Sequence, residues 1–394
     1  MQRGKGQCTL QHPDADTPAP PSSALRTPSI AVLTVGLNDC KMGLTYRRLD
    51  PLKREIRLLE IQSARNINDT VDCRLATYRL TDELEYIALS SLYGDASDTE
   101  KIIVGGRAVN IPAHLSQALK HVRAVFYPTI SQRFQRTPAR RTHNTPRWLR
   151  QLFGLSSSNA KDGSDSSRPK ALRVWVDILC VNQRDDFEKS KQLVEMRQIY
   201  GSAELVVGWL GEKAEHTAVA MSTLAEIEDA MPPHWGDPGD REKHPEDYSP
   251  THKWAESITH IWADGADGEI PFLMPHWIGC NDFMTRQYFQ RRWILEEIAL
   301  SRFPTFLIGD TVVPWKQVLR LNRMMEEFKY HPSDVFPPHL SAMIADLPLE
   351  TAHKLLDEFA KREALEDAKI LRETGKRADS TSTRDTESFV DLGK

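Results

Sequence analysis

The run VWVDILCVNQRDDFEKSKQLVEMRQIYGSAELVVGWLG, residues 174–211, restricts the fold of this chain more than any other stretch. Val174–Val181 is almost wholly apolar, as a strand covered on both faces requires. Alternation sets Val174, Val176, Ile178 and Cys180 on one side and Trp175, Asp177, Leu179 and Val181 on the other. After Asn182-Gln183 the sequence predicts a helix over 186–200, with Asp185 and Glu188 spaced as a capping box and Gly201 as the stop. Leu193, Met196, Ile199 and Tyr200 supply its apolar stripe, and ELVVGWLG (204–211) is a second buried strand. Strand, helix and strand in this order make a βαβ unit with parallel strands and a right-handed crossover. The class is therefore α/β, a parallel-containing sheet flanked by helices.

Asp177 is the misfit in that block. A buried carboxylate needs a partner, a ligand or a raised pKa. Read as a strand residue, it lies past the middle, and Asn182 and Gln183 occupy the loop that leaves the carboxyl end. Open α/β sheets bind ligands there. Two readings stand for Asp177, a structural ion pair and a functional carboxylate; for Asn182 and the acids after it, helix capping is weighed ahead of catalysis. Cys180 reads as a small buried hydrophobe, on the face opposite Asp177.

The flanking sequence is less regular. Residues 1–44 are rich in Pro, Ser and polar groups at their start and read as a disordered segment. Ile56, Leu58 and Leu59 open the apolar pattern, and EYIALSSLYG (85–94) is a strand ending at Gly94. KIIVGGRAVNIP (101–112) is a hairpin, because Gly105-Gly106 supplies the positive φ values of a type I′ turn. A helix follows from about Ala113, with Leu115, Ala118, Leu119 and Val122 at helical spacing. Residues 127–171 and 231–275 read as irregular insertions; 131–150 carries six arginines and no acid, yet sparse aromatics favour a solvated insertion over a nucleic-acid surface. NDFMTRQYFQRRWILEEIALSR (281–302) reads as one helix, FLIGDTVVPW (306–315) as a hairpin leading into another, and 331–394 as a helical extension with a disordered tail.

Bulk properties exclude several classes. A formal net charge of −4 gives no global attraction to nucleic acid or to a membrane surface. Five scattered cysteines without C-x-x-C spacing argue against a disulfide framework and a zinc ribbon, and favour a reducing compartment. The N-terminal stretch lacks a secretory h-region, and IAVLTVGL (30–37) is too short to span a bilayer. The expectation is a cytoplasmic protein with no metal and no membrane span. No G-x-G-x-x-G or P-loop is present.

Three blocks, YIALSSLYG, the 174–211 run and RRWILEEIALSR, stand in an order and spacing that resembles the fungal heterokaryon incompatibility (HET) domain family. Tyr86, Ala88, Leu89, Ser90 and Gly94 match its first block. Trp175, Asp177, Cys180, Asn182, Gln183, Glu188, Gln192, Met196, Tyr200, Ala203, Trp209 and Gly211 match the second, and Arg291, Trp293 and Glu297 the third. Ser91, Tyr93 and Glu296 depart from it, standing where the family has Tyr, Trp and Gln. The resemblance places a HET domain over about residues 45–330, distantly comparable with Toll-type (TIR) and flavodoxin-like folds. It implies an effector of fungal nonself recognition and regulated cell death. Such an effector acts as a signalling module with other incompatibility proteins or by self-association. The alternative is a TIR-like enzyme that cleaves NAD as substrate, with Glu297 and Asp177 as the carboxylates. Ser90, Asn182, Gln183, Arg291, Trp293 and Glu296 would then form the surrounding polar cluster. For Arg291–Glu297 a salt-bridge network that orients a helix is the competing reading.

Overall fold

The computed structural model describes residues 43–50, 52–92, 97–127, 172–232, 234–235, 239–248, 253–262, 274–290, 304–330 and 344. Their strands form one mixed sheet: β1 (Glu55–Ile61), β2 (Asp72–Arg79), β3 (Ile87–Ser90), β4 (Thr99–Val104), β5 (Arg107–Pro112), β6 (Leu172–Trp175), β7 (Leu205–Gly211), β8 (Pro304–Ile308) and β9 (Thr311–Pro314). The order across the sheet is β5-β4-β2-β1-β6-β3-β7-β8-β9. β6, β3, β7 and β8 run parallel, and β1 pairs antiparallel with both β2 and β6. The α/β expectation holds.

The β4–β5 hairpin closes on Gly105 and Gly106 at φ 58° and 77°, the two positive values its turn demands. Helix α1 (Ala113–Phe126) buries Leu115, Ala118, Leu119 and Val122, as their spacing predicts. β6 and β7 are parallel but not neighbours, because β3 lies between them and pairs with both.

The predicted strand through Val181 is shorter. β6 stops at Trp175, and Asp177–Cys180 is a single helical turn, α2, closed by the Cys180 amide on the Val176 carbonyl at 2.8 Å. Ile178, Leu179 and Cys180 are all buried, so their apolar character reflects enclosure on every side rather than strand alternation. A short apolar run does not separate these two cases. Helix α3 (Asp186–Ser202) starts as expected, with the Asp185 carboxylate accepting the Glu188 amide at 3.0 Å. It runs through Gly201 and ends one residue later.

Helices α4 (Thr217–Ala230), α5 (Asp240–Lys243), α6 (Lys253–Ser257), α7 (Thr259–Trp262), α8 (Pro275–Met284) and α9 (Trp315–Tyr330) complete the described elements. With β8 and β9 they enclose a second hydrophobic cluster that includes Trp235, Tyr248, Trp254, Trp277, Phe306 and Phe328. The single helix predicted over 281–302 is not formed in its described part. Residues 281–284 end α8, the Thr285 hydroxyl caps back onto the Asn281 carbonyl at 2.6 Å, and a 3₁₀ turn follows at Gln287–Gln290. Arg286, just past the helix end, binds the end of β7. Residues 291–303, the insertion expected over 127–171 save Tyr127, and the extension expected over 331–394 save Ile344 lie outside the described residues.

One buried ion pair ties the elements around β6 together. Arg57 of β1 is 2% exposed and Glu188 of α3 is 7% exposed. The guanidinium meets both carboxylate oxygens, at 2.5 and 2.9 Å, and also donates to the Cys180 and Arg47 carbonyls. The Tyr46 ring covers the guanidinium at 4.9 Å, and its hydroxyl donates to the Leu179 carbonyl at 3.2 Å. Burial raises the Tyr46 hydroxyl pKa well above the usual phenol value. Arg57→Ala strands a carboxylate in this setting and should cost about 3–5 kcal/mol. Denaturant unfolding checks this, and Arg57→Met/Glu188→Leu should lose less than Arg57→Ala alone.

Candidate functional site

Register fixes which way each strand residue points. Trp175 pairs with Ala88, and Ala88 with Val206, so these three share a face of the sheet. Trp209 lies three residues beyond Val206 and takes the opposite face. Tyr200 of α3 meets Trp175 edge-on at 5.3 Å, whereas His121 of α1 stacks on Trp209 at 5.0 Å. Helices α1 and α3 therefore cover opposite faces. The connection leaving β3 carries α1, and the one leaving β6 carries α3. The carboxyl ends of adjacent strands β3 and β6 thus form a topological switch point, where open α/β sheets have their ligand crevice.

The predicted residues distribute around this point. Ser90 ends β3, and half-buried Asp177 opens α2 two residues past the end of β6. Asp177 Oδ1 accepts the Ile178 amide at 2.7 Å. The Gln183 side-chain amide donates to the Asp177 and Val181 carbonyls at 3.0 and 3.3 Å, closing the loop on itself. The Asn182 side chain accepts the Arg184 amide, and its backbone N–H donates to Glu188 at 2.7 Å. Both side-chain amides thus shape the loop, while the cap of α3 itself is Asp185. Arg291, Trp293, Glu296 and Glu297 lie outside the described residues.

The separation of Cys180 from Asp177 by strand alternation is corrected, since both belong to the α2 turn. Burial decides the matter instead: the Cys180 thiol is enclosed and its pKa is pushed up to about 12, which suppresses the nucleophilic thiolate. Among the described residues no group of three or more His, Cys, Asp or Glu is placed to hold a metal ion. No helix among them is long and apolar enough to cross a membrane.

Several residues at the site carry no signal in the sequence pattern. The Tyr288 hydroxyl donates to Ser90 Oγ at 2.9 Å, and both side chains are buried. Its ring reaches the sheet because residue 208, opposite Ser90 in register, is glycine. A Cβ there would stand 2.5 Å from the Tyr288 oxygen and 2.9 Å from the Phe306 ring. Arg286 donates to the Leu210 and Glu212 carbonyls at 2.9 and 3.0 Å and pairs with Asp282 at 3.2 Å, fixing the end of β7. Only Arg57 left a trace in sequence, as a lone cation within the apolar run EIRLLEI.

The comparisons with known proteins follow the same region. The heterokaryon incompatibility protein (HET) family model matches residues 155–297, which include α2, α3, β7, Tyr288 and the Arg291–Glu297 block. Heterokaryon incompatibility protein 6, OR allele, of Neurospora crassa is 26% identical over 278 residues, covering 68% of this chain. Residues 155–297 are thus similar to the heterokaryon incompatibility family. The chain spans 35% of that relative's length, and no solved structure matches it. Ser90 and Arg57 lie ahead of the matched segment yet contact it directly through Tyr288 and Glu188.

Two measurements probe the site. Gly208→Ala forces Tyr288 or Phe306 to move and should cost on the order of 1–3 kcal/mol in unfolding free energy, whereas Tyr288→Phe, which keeps the ring, should cost about 1 kcal/mol. His121 gives a pH signature. Burial is the largest cause of its lowered pKa; Glu212 and Asp310 oppose the shift, and Lys213 and Lys120 add to it. Its contribution is present above the ordinary imidazole value of 6.5 and lost as pH falls through the lower folded value. Unfolding midpoints should therefore drop on acidification below that value more steeply for the native chain than for His121→Gln.

Proposed function

We propose that this chain is an incompatibility-type effector of fungal nonself recognition, a cytoplasmic signalling and interaction module whose activation leads to regulated cell death. The observation that carries the reading is the coincidence of the HET match with the switch-point end of the sheet. Asp177, Asn182 and Gln183 leave β6 there, and Tyr288 ties that end to the chain three residues before Arg291. Its partners are other incompatibility proteins or further copies of itself. The domain assigned to residues 45–330, with its insertions and the helical extension after it, belongs to the same proposal.

A second reading has one observation in its favour. A half-buried carboxylate stands at the carboxyl ends of β3 and β6, where open α/β sheets bind ligands, and NAD cleavage would place Asp177 and Glu297 at the ribosyl centre. Arg291, Trp293 and Glu296 would line that site with Ser90, Asn182 and Gln183.

Induced expression in a fungal host tests the first reading. The native chain should arrest growth, and Asp177→Ala and Glu297→Ala at matched protein level should not. Healthy cells carrying the native chain would overturn an autonomous effector. Loss of NAD on incubation with purified protein, abolished by either substitution, would select the enzymatic reading.

A further inference from the structure

Four large apolar side chains are exposed among the described residues, and two share one stripe of α3: Phe187 at 59% and Val194 at 78%. A third, Leu52 at 91%, sits on the turn that precedes Arg54, and Arg54 pairs with Glu195 of α3 at 3.0 Å. The stripe runs through Phe187, Ser190, Lys191, Val194 and Arg197, all exposed and at helical spacing. The opposite side of α3 is already committed, with Ile199 and Tyr200 buried against the sheet. A helix with apolar residues on both sides has one more surface than its own fold uses.

The charges on this stripe say what covers it. The exposed face is acidic at its start, with Asp186 93% exposed, and basic at its end, with Arg197. Two such helices laid antiparallel set Asp186 of each against Arg197 of the other, twice over, with their dipoles opposed. In that register residue 187 lies opposite residue 196, so Phe187 stands about 3 Å along the axis from Val194 of the second copy. Lys191 falls near the twofold axis, with Glu195 within one turn on either helix. Within its own chain Asp186 makes a surface pair with Lys189 at 2.7 Å, an interaction of small worth.

We propose that the outer face of α3 is a homodimer interface, in which a second copy of this chain packs antiparallel across Phe187 and Val194 and is held in register by Asp186–Arg197 pairs. The proposal rests on the reading of this chain as an interaction module and names the surface that self-association uses.

Sedimentation equilibrium of the full chain, from low to high micromolar protein, tests it. The native chain should pass from monomer to dimer. Phe187→Glu and Val194→Glu should each weaken association by at least about tenfold. Asp186→Arg and Arg197→Asp should each weaken it, and the double reversal should restore it. All four positions are exposed, so an unchanged unfolding midpoint verifies that each variant is folded. A native chain that stays monomeric overturns the interface, as does a dimer that these substitutions leave unchanged. Because the readout is mass in solution, this result is separable from the outcome of the growth assay.

Discussion

The Arg57–Glu188 pair is the constraint on which the candidate site depends. Each charge loses its water on folding, and the mutual attraction alone does not offset that loss. The surrounding acceptors and donors complete the balance. The Cys180 and Arg47 carbonyls take the remaining guanidinium hydrogens, and the Asn182 amide donates to the carboxylate. Those three groups belong to the leader, α2 and the loop after it, and Glu188 itself to the first turn of α3. A hydrophobic pair could fill the same space without fixing these four segments in one arrangement, so the ion pair contributes geometry more than stability.

That geometry positions the switch-point end of the sheet. Asp177 is placed by the turn it begins, and the turn is held from below by Arg57 and from outside by Tyr46. On the neighbouring strand, Ser90 is held by a tyrosine that needs glycine at position 208 to come close. A site of this kind is positioned by the packing of its supports, none of which has to touch a ligand.

The sequence was legible where local rules act alone. Asp185 and Glu188 marked the start of α3, Gly105-Gly106 marked a hairpin, and the spacing of Leu115 to Val122 marked the buried side of α1. It was illegible where enclosure overrides periodicity: Ile178, Leu179 and Cys180 are buried on a helical turn, and no alternation rule separates that from a strand. Arg286 is a further case, since it follows the end of α8 and binds the Leu210 and Glu212 carbonyls, more than seventy residues away. The HET blocks were recognisable as strings, but the contacts that join them, Tyr288 to Ser90 and Arg57 to Glu188, cross 198 and 131 residues of chain and leave no local pattern.

The place of β3 between β6 and β7 also bears on how the chain reaches this state. The strand–helix–strand unit over 172–211 forms from neighbouring sequence, but its two strands stand apart by the width of a third. Only Ile87–Ser90, four residues made much earlier on the chain, fill that gap. Until they arrive, two buried strand edges face each other with unpaired amides and carbonyls. Closing them requires a loop of more than eighty residues, an entropic barrier that slows folding far more than it weakens the finished fold. The switch point, which lies at the carboxyl end of that inserted strand, is complete only once this loop has closed.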